Sequence, residues 1–126
     1  MLFILQFLLI SESDYLMKLL VTGASGNIGT VLKSRLQEND IPFIGVDITN
    51  QNSNNNNFFQ LDITNENELQ EKKSVFDNID TLVHLASKID TGSDVTNKGI
   101  QSIDVNIKGT LNLLEHLPSL KNILFT

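Results

Sequence analysis

The residues best suited to chemistry lie early in the sequence, in the run Val21-Thr22-Gly23-Ala24-Ser25-Gly26-Asn27-Ile28-Gly29, whose three glycines are spaced three apart. Each glycine has its own task. Gly23 permits a tight turn, Gly26 removes a side chain that would block a pyrophosphate, and Gly29 lets the following helix lie close to the preceding strand. With Ser25, Asn27 and Ile28 between the glycines, the start of that helix aims backbone amides and a positive dipole end at phosphate groups. Asp47 stands 18 positions beyond Gly29, close to the roughly 20-residue spacing of a carboxylate that accepts hydrogen bonds from ribose hydroxyls. The same carboxylate repels a 2′-phosphate, and Ile48, Thr49 and Asn50 supply no cation to offset it. The pattern therefore reads as a dinucleotide site that favours NAD over NADP. A solvated turn aspartate is the competing reading of Asp47.

Such a turn works only between a strand and a helix, and the rest of the chain supplies that setting. Short apolar runs at 19–22, 42–47, 58–61, 81–85 and 122–125 read as five buried parallel strands. Helical stretches alternate with them. Between the first two, Ile28, Val31, Leu32 and Leu36 fall at helical spacing as the inner face, with Lys33, Arg35 and Glu38 opposite. Asn65 caps a second helix that carries Glu66 and Glu68 in its first turn and runs to about Val75. A longer helix over 101–117 is expected to bury Ile103, Ile107, Leu111 and Leu114, with Pro118 ending it. The fold class expected is α/β, a Rossmann-type doubly wound parallel sheet of about five strands in the order 3-2-1-4-5, and no internal repeat is evident.

Composition narrows the function further. The chain has 126 residues, about one modest domain, and 40% of them are hydrophobic. A net charge of −6 has the wrong sign for wrapping nucleic acid or coating an anionic membrane, so neither partner is expected. The absence of cysteine excludes disulfides, thiolate metal sites and thiol nucleophiles, and no metal site is expected. The opening run 1–10 is nearly all apolar, but no basic residue precedes it, Ser11, Glu12, Ser13 and Asp14 follow it, and a membrane span needs about 20 apolar residues. Residues 1–16 read as an extension ahead of a domain over 17–126, and a cytoplasmic location is expected. The asparagine-rich run 50–57 reads as a solvated, mobile loop.

From Met17 to Thr126 the sequence resembles the NAD-dependent epimerase/dehydratase family, the nucleotide-sugar-modifying branch of the extended short-chain dehydrogenases/reductases. The motifs that carry the resemblance are the glycine run, Leu61-Asp62-Ile63, His84-Leu85-Ala86-Ser87, and Asn106-Ile107-Lys108-Gly109-Thr110-Leu111-Asn112-Leu113-Leu114-Glu115. The resemblance implies that Asp62, beside Ile63, lies against the adenine amino group. It also implies that Leu85, Ala86 and Ser87 line the cofactor toward the nicotinamide, and that Asn106 lies near it. Read by themselves, Asp62 could begin a turn or cap a helix, His84 is a hydrogen-bonded core histidine rather than a catalyst, and Asn106 could be polar surface. Gly109 is costly inside a helix and points to close backbone packing.

The family's chemistry uses a tyrosine and a lysine four residues apart, with a serine or threonine after the fifth strand. Here Tyr15 is the only tyrosine and Leu19 stands four residues after it, so no catalytic residue is assigned. The resemblance reaches only as far as the fifth strand, so the chain reads as the truncated NAD-binding portion of such an enzyme, inactive alone and marginally stable. A non-catalytic NAD-sensing or interaction module is the alternative. Relatives commonly form homodimers through the helix matching 101–117 and a later one.

Overall fold

The computed structural model describes residues 17–49, 56–89 and 95–126. The apolar extension, Tyr15, Asn50 and most of the asparagine-rich run therefore lie outside the described residues. Five strands form one parallel sheet: β1 (Leu19–Thr22), β2 (Phe43–Asp47), β3 (Phe58–Gln60), β4 (Thr81–His84) and β5 (Asn122–Phe125). Their order is β3-β2-β1-β4-β5, as the sequence implies. The chain runs outward from β1 to β3, then crosses over to β4 and β5. Right-handed crossovers in opposite directions place helices on opposite faces of the sheet.

Alternation along β1 shows the two faces. Leu19 and Val21 join Ala24, Leu36 and Phe43 in one buried cluster, whereas Leu20 joins Val46, Leu69, Phe76, Leu82, Leu113 and Leu117 in the other. Helix α1 (Asn27–Glu38) covers the first face. The second is covered by α2 (Glu66–Glu71), α3 (Lys73–Phe76) and α5 (Thr110–Glu115), the last part of a long helical stretch that begins with α4 (Val95–Ile103) and a π-helical segment (Asp104–Gly109). Phe76 is fully buried there, so truncating it to alanine would cost about 3–5 kcal/mol.

Three helical expectations are corrected. In α1, Ile28 and Val31 are 60% and 63% exposed, while Gly29 and Leu36 are buried, Leu32 is half-buried, and Lys33 holds its ammonium 5.2 Å above the Phe58 ring. The glycine turn causes this rotation. A Cβ at Gly29 would stand 2.8 Å from the Ala24 backbone, so the helix turns its Gly29, Leu32, Lys33, Leu36 row inward. The same helix ends with Asp40 at φ 53° and the Asp40 and Ile41 amides bonded to the Gln37 and Leu36 carbonyls, a left-handed C-cap.

The second helix is two short ones. Asn65 caps α2 as expected, accepting from the Asn67 and Glu68 amides, but the chain breaks at Lys72, whose amide is shared between the Glu68 and Leu69 carbonyls. The third correction is larger. The long helix starts at Val95 rather than near Gln101, and Ile103, Ile107 and Leu111 are each more than half exposed. It ends at Glu115, its buried row is Gly109, Asn112 and Leu113 with Leu114 half-buried, and Leu117 is buried just beyond its end. A π turn re-aims the faces, and the docking face contains a glycine and a polar residue that apolar periodicity does not count. A Cβ at Gly109 would meet Ile63 at 2.8 Å, and Asn112 Nδ2 donates to the Ile63 carbonyl at 3.2 Å.

Candidate functional site

A cleft of about 420 Å³ opens at the carboxyl ends of β1, β2 and β4, where the strand order reverses and parallel α/β sheets bind ligands. That volume lies within the roughly 300–1,000 Å³ typical of small-molecule sites. Its floor is Thr22, Val46, Leu61 and Ile63, the ends of the strands and the turn after β3.

The first wall is the glycine turn. Gly23 has φ +65°, and a Cβ there would lie 2.7 Å from the Ala86 nitrogen, so both conformation and crowding require glycine. The Gly26 amide closes the turn on the Gly23 carbonyl at 3.0 Å, and the Ala24 amide ties it to the Val46 carbonyl at 3.2 Å. As the residue before α1, Gly26 has no side chain to cap the helix, and no acidic residue lies in the first turn. The positive end of α1 is thus presented toward the cleft.

Asp47 ends β2 beside this turn. Its Oδ2 accepts from the Ser25 amide at 2.9 Å and its Oδ1 from the Thr49 amide and hydroxyl, both at 3.1 Å. The carboxylate is thereby oriented at the edge of the cleft. Asp62 stands behind it, its Oδ1 accepting from the Thr64 amide at 2.9 Å and hydroxyl at 2.7 Å, which makes it the start of a turn. Its own amide donates to Glu68 Oε2 at 2.8 Å.

The second wall is the chain leaving β4, residues 85–88. The Ala86 amide donates to Thr22 Oγ1 at 3.2 Å. Asn106 clamps Lys88 by accepting from its amide at 2.8 Å and donating to its carbonyl at 2.9 Å. Lys88 Nζ also donates to Gln101 Oε1. Beneath the wall His84 is buried, with Nδ1 2.6 Å from Thr22 Oγ1 and Nε2 2.8 Å from Thr110 Oγ1. Burial pushes its pKa below the ordinary imidazole value. As its strand implied, it is a hydrogen-bonded core histidine.

Of the residues singled out from sequence, Gly23, Gly26, Asp47, Asp62, Ile63, Leu85, Ala86 and Ser87 line the cleft. Ser25 and Gly29 shape the turn from behind it, Asn27 and Ile28 are exposed on the first turn of α1, and Asn106 reaches the cleft through Lys88. Sequence reasoning missed Thr22, Val46, Ile48, Leu61, Lys88 and Val105 as lining residues. Thr22 was accessible from its place just before Gly23; Val105 carries no signal of its own. Among the described residues no cluster of three His, Asp or Glu side chains could hold a metal ion. None of their helices is long and apolar enough to cross a membrane.

A parallel sheet ordered 3-2-1-4-5, with a glycine-rich first βα turn and an acidic residue ending β2, defines a Rossmann-type domain of the short-chain dehydrogenase/reductase kind. The chain belongs to the NAD-dependent epimerase/dehydratase family, whose model matches residues 19–125. A UDP-glucuronate 4-epimerase of Thermodesulfobacterium geofontis is 34% identical over 113 residues, covering 76% of this chain and 34% of that protein. Among solved structures, a UDP-glucose 4-epimerase from Thermotoga maritima with UDP-glucose has a TM-score of 0.71 at 28% identity, over 86% of this chain and 37% of that one. A variant of uronate dehydrogenase from Agrobacterium tumefaciens complexed with NAD has a TM-score of 0.66 at 26% identity, over 87% of this chain and 40% of that one. The chain spans about a third of the length of the curated relatives it matches.

Proposed function

We propose that this chain is the cofactor-binding part of an enzyme that epimerises, dehydrates or reduces a nucleotide sugar or a related alcohol or ketone, and that its cofactor is NAD rather than NADP. The observation that carries the reading is Asp47, a carboxylate held at 2.9 Å by the Ser25 amide of the glycine turn and facing the cleft. Ribose hydroxyls suit such an acceptor, and a 2′-phosphate does not. Gly26 supports the fit. Among the described residues its Cβ would crowd only the Gly23 carbonyl, at 3.3 Å, so the stronger demand for glycine comes from what enters the cleft.

On this reading Gly23, Ser25, Gly26, Asn27, Ile28 and Gly29 hold the pyrophosphate, Asp47 the ribose, and Asp62 with Ile63 the adenine. Leu85, Ala86, Ser87 and Asn106 line the path toward the nicotinamide. Bound NAD supplies the hydride acceptor or donor; the residues of this chain bind it, orient it and exclude water. The names of the relatives, two nucleotide-sugar 4-epimerases and an NAD-bound uronate dehydrogenase, support the substrate class.

The sequence holds no Tyr-x-x-x-Lys, so residues 1–126 by themselves are proposed to bind cofactor without turnover. That same observation favours a second reading, an NAD-sensing module without chemistry. Turnover of a nucleotide sugar by purified residues 1–126 would overturn both inactive readings. A cytoplasmic location belongs to the same proposal, as does a small-molecule cofactor as the chief partner. So does homodimerisation in the full-length family through the exposed row Ile103, Ile107 and Leu111. The direct test is titration with NADH and NADPH, followed by nicotinamide fluorescence. Saturation by NADH at about tenfold or more lower concentration than NADPH is expected. No change with millimolar NADH would refute cofactor binding, and tighter NADPH would refute the NAD preference.

A further inference from the structure

We propose that His84 is a positioning residue for the cofactor: its ring ties the carboxyl end of β1 to the helix at Thr110 and thereby fixes the wall formed by residues 85–88. The proposal rests on the reading of this cleft as an NAD site. Its support is a chain of hydrogen bonds that can run in only one direction. The Thr110 hydroxyl donates to the Asn106 carbonyl at 2.8 Å. Having a single proton, it must accept in its 2.8 Å contact with His84, so Nε2 carries the ring hydrogen. Nδ1 then accepts from the Thr22 hydroxyl at 2.6 Å, and the Thr22 oxygen accepts from the Ala86 amide at 3.2 Å.

The relay closes on the wall at both ends. It starts at the amide of Ala86 and finishes on the backbone of Asn106, whose side chain grips the amide and carbonyl of Lys88. Ala86 and Lys88 both line the cleft, so three segments far apart in sequence hold one short stretch of chain through one imidazole. The geometry uses a neutral ring. A second ring proton would set two donors on Thr22 Oγ1 and leave the hydroxyl hydrogen without its acceptor. Burial disfavours the charged form of the ring, which stands T-shaped to the Phe125 ring with centroids 5.5 Å apart. Asn106 and Gly109 lie in the π-helical segment, which fits the tendency of π turns to occur at functional sites. Gly109 packs on Ile63 in the floor of the cleft.

A histidine that merely fills the core would stabilise the sheet without governing the wall, and paired variants of Thr110 separate the two. Thr110→Val removes the hydroxyl at nearly constant volume, and Thr110→Ser keeps it. Amide hydrogen exchange at Ala86 and Lys88 is measured relative to Leu20 in the sheet core, together with NADH affinity, on residues 1–126. With Thr110→Val, exchange at the two wall amides is expected to quicken about tenfold relative to Leu20 and NADH affinity to fall about tenfold, the loss of one buried hydrogen bond. Thr110→Ser is expected to restore both. Wall exchange unchanged in Thr110→Val, or raised equally in Thr110→Ser, would overturn the proposal. Should Thr110→Val unfold the sheet, Thr22→Val and Thr22→Ser repeat the comparison from the other end of the relay: quickened wall exchange in the valine variant alone supports the proposal, and unchanged or equal exchange overturns it. If the unaltered protein fails to bind NADH, the cofactor reading falls, and the exchange data alone decide whether His84 positions the wall.

Discussion

The two walls of the cleft are built in opposite ways. The glycine turn is local: Gly23, Gly26 and Gly29 span seven residues, and the backbone amides of Ala24 and Ser25 between them bond to Val46 and Asp47 at the end of the neighbouring strand. The wall at 85–88 is assembled from β1, β4 and the long helix, through Thr22, His84, Thr110 and Asn106. A local wall is set by backbone conformation and the absence of side chains. An assembled wall depends on the fold being complete, so it responds to changes made far away. The two meet at Gly23, which has no room for a Cβ because Leu85 and Ala86 press against it.

The largest effect should come where the walls meet. Gly23→Ala imposes a left-handed backbone on an L side chain and an overlap with Ala86, so stability should fall by about 3 kcal/mol. Urea denaturation would show this, with binding lost alongside. Asp47→Ala sharpens the contrast by striking the local wall alone. NADH affinity should drop about tenfold to a hundredfold, as for a lost charge-assisted hydrogen bond, while exchange at Ala86 and Lys88 stays unchanged. A fall in affinity shared equally by NADPH would contradict the assignment of Asp47. Asn65→Ala, which removes a helix cap, serves as a control outside both walls. It should cost about 1 kcal/mol of stability and leave NADH affinity alone.

The smallest effect is that of pH on the assembled wall. Burial lowers the His84 pKa in the folded protein below the ordinary 6.5, so below that pH the unfolded chain takes up a proton that the folded protein refuses. The stabilisation is complete above about pH 6.5 and declines as the pH falls toward the folded value. Urea midpoints near about pH 7.5 and about pH 5.5 should therefore differ less in His84→Gln than in the unaltered protein. An equal difference in both would show that His84 does not contribute.

This contrast also explains what was legible in the sequence. The glycine turn and the Asn65 cap were readable because each depends on residue type at short spacing, Asp47 from its place at the end of the second strand, and the strand order from the alternation of strand and helix runs. The inner faces of α1 and the long helix were not. In α1 the close approach at Gly29 overrode apolar periodicity and left Ile28 and Val31 outside. In the long helix the π turn moved the contact row onto Gly109 and Asn112, leaving Ile103, Ile107 and Leu111 on the surface. Asn106 was singled out, but its grip on Lys88 was not readable, because the two residues meet only once β4 and the helix are side by side.

The most direct test of the whole account is hydrogen-exchange protection on adding NADH to residues 1–126. Both walls should be protected together, with slowed exchange at residues 23–29 and at 86–88 and little change at Phe43 or Ile79, which lie toward the opposite end of the sheet. Saturable NADH binding that protects residues outside these walls, or only one of them, would contradict it.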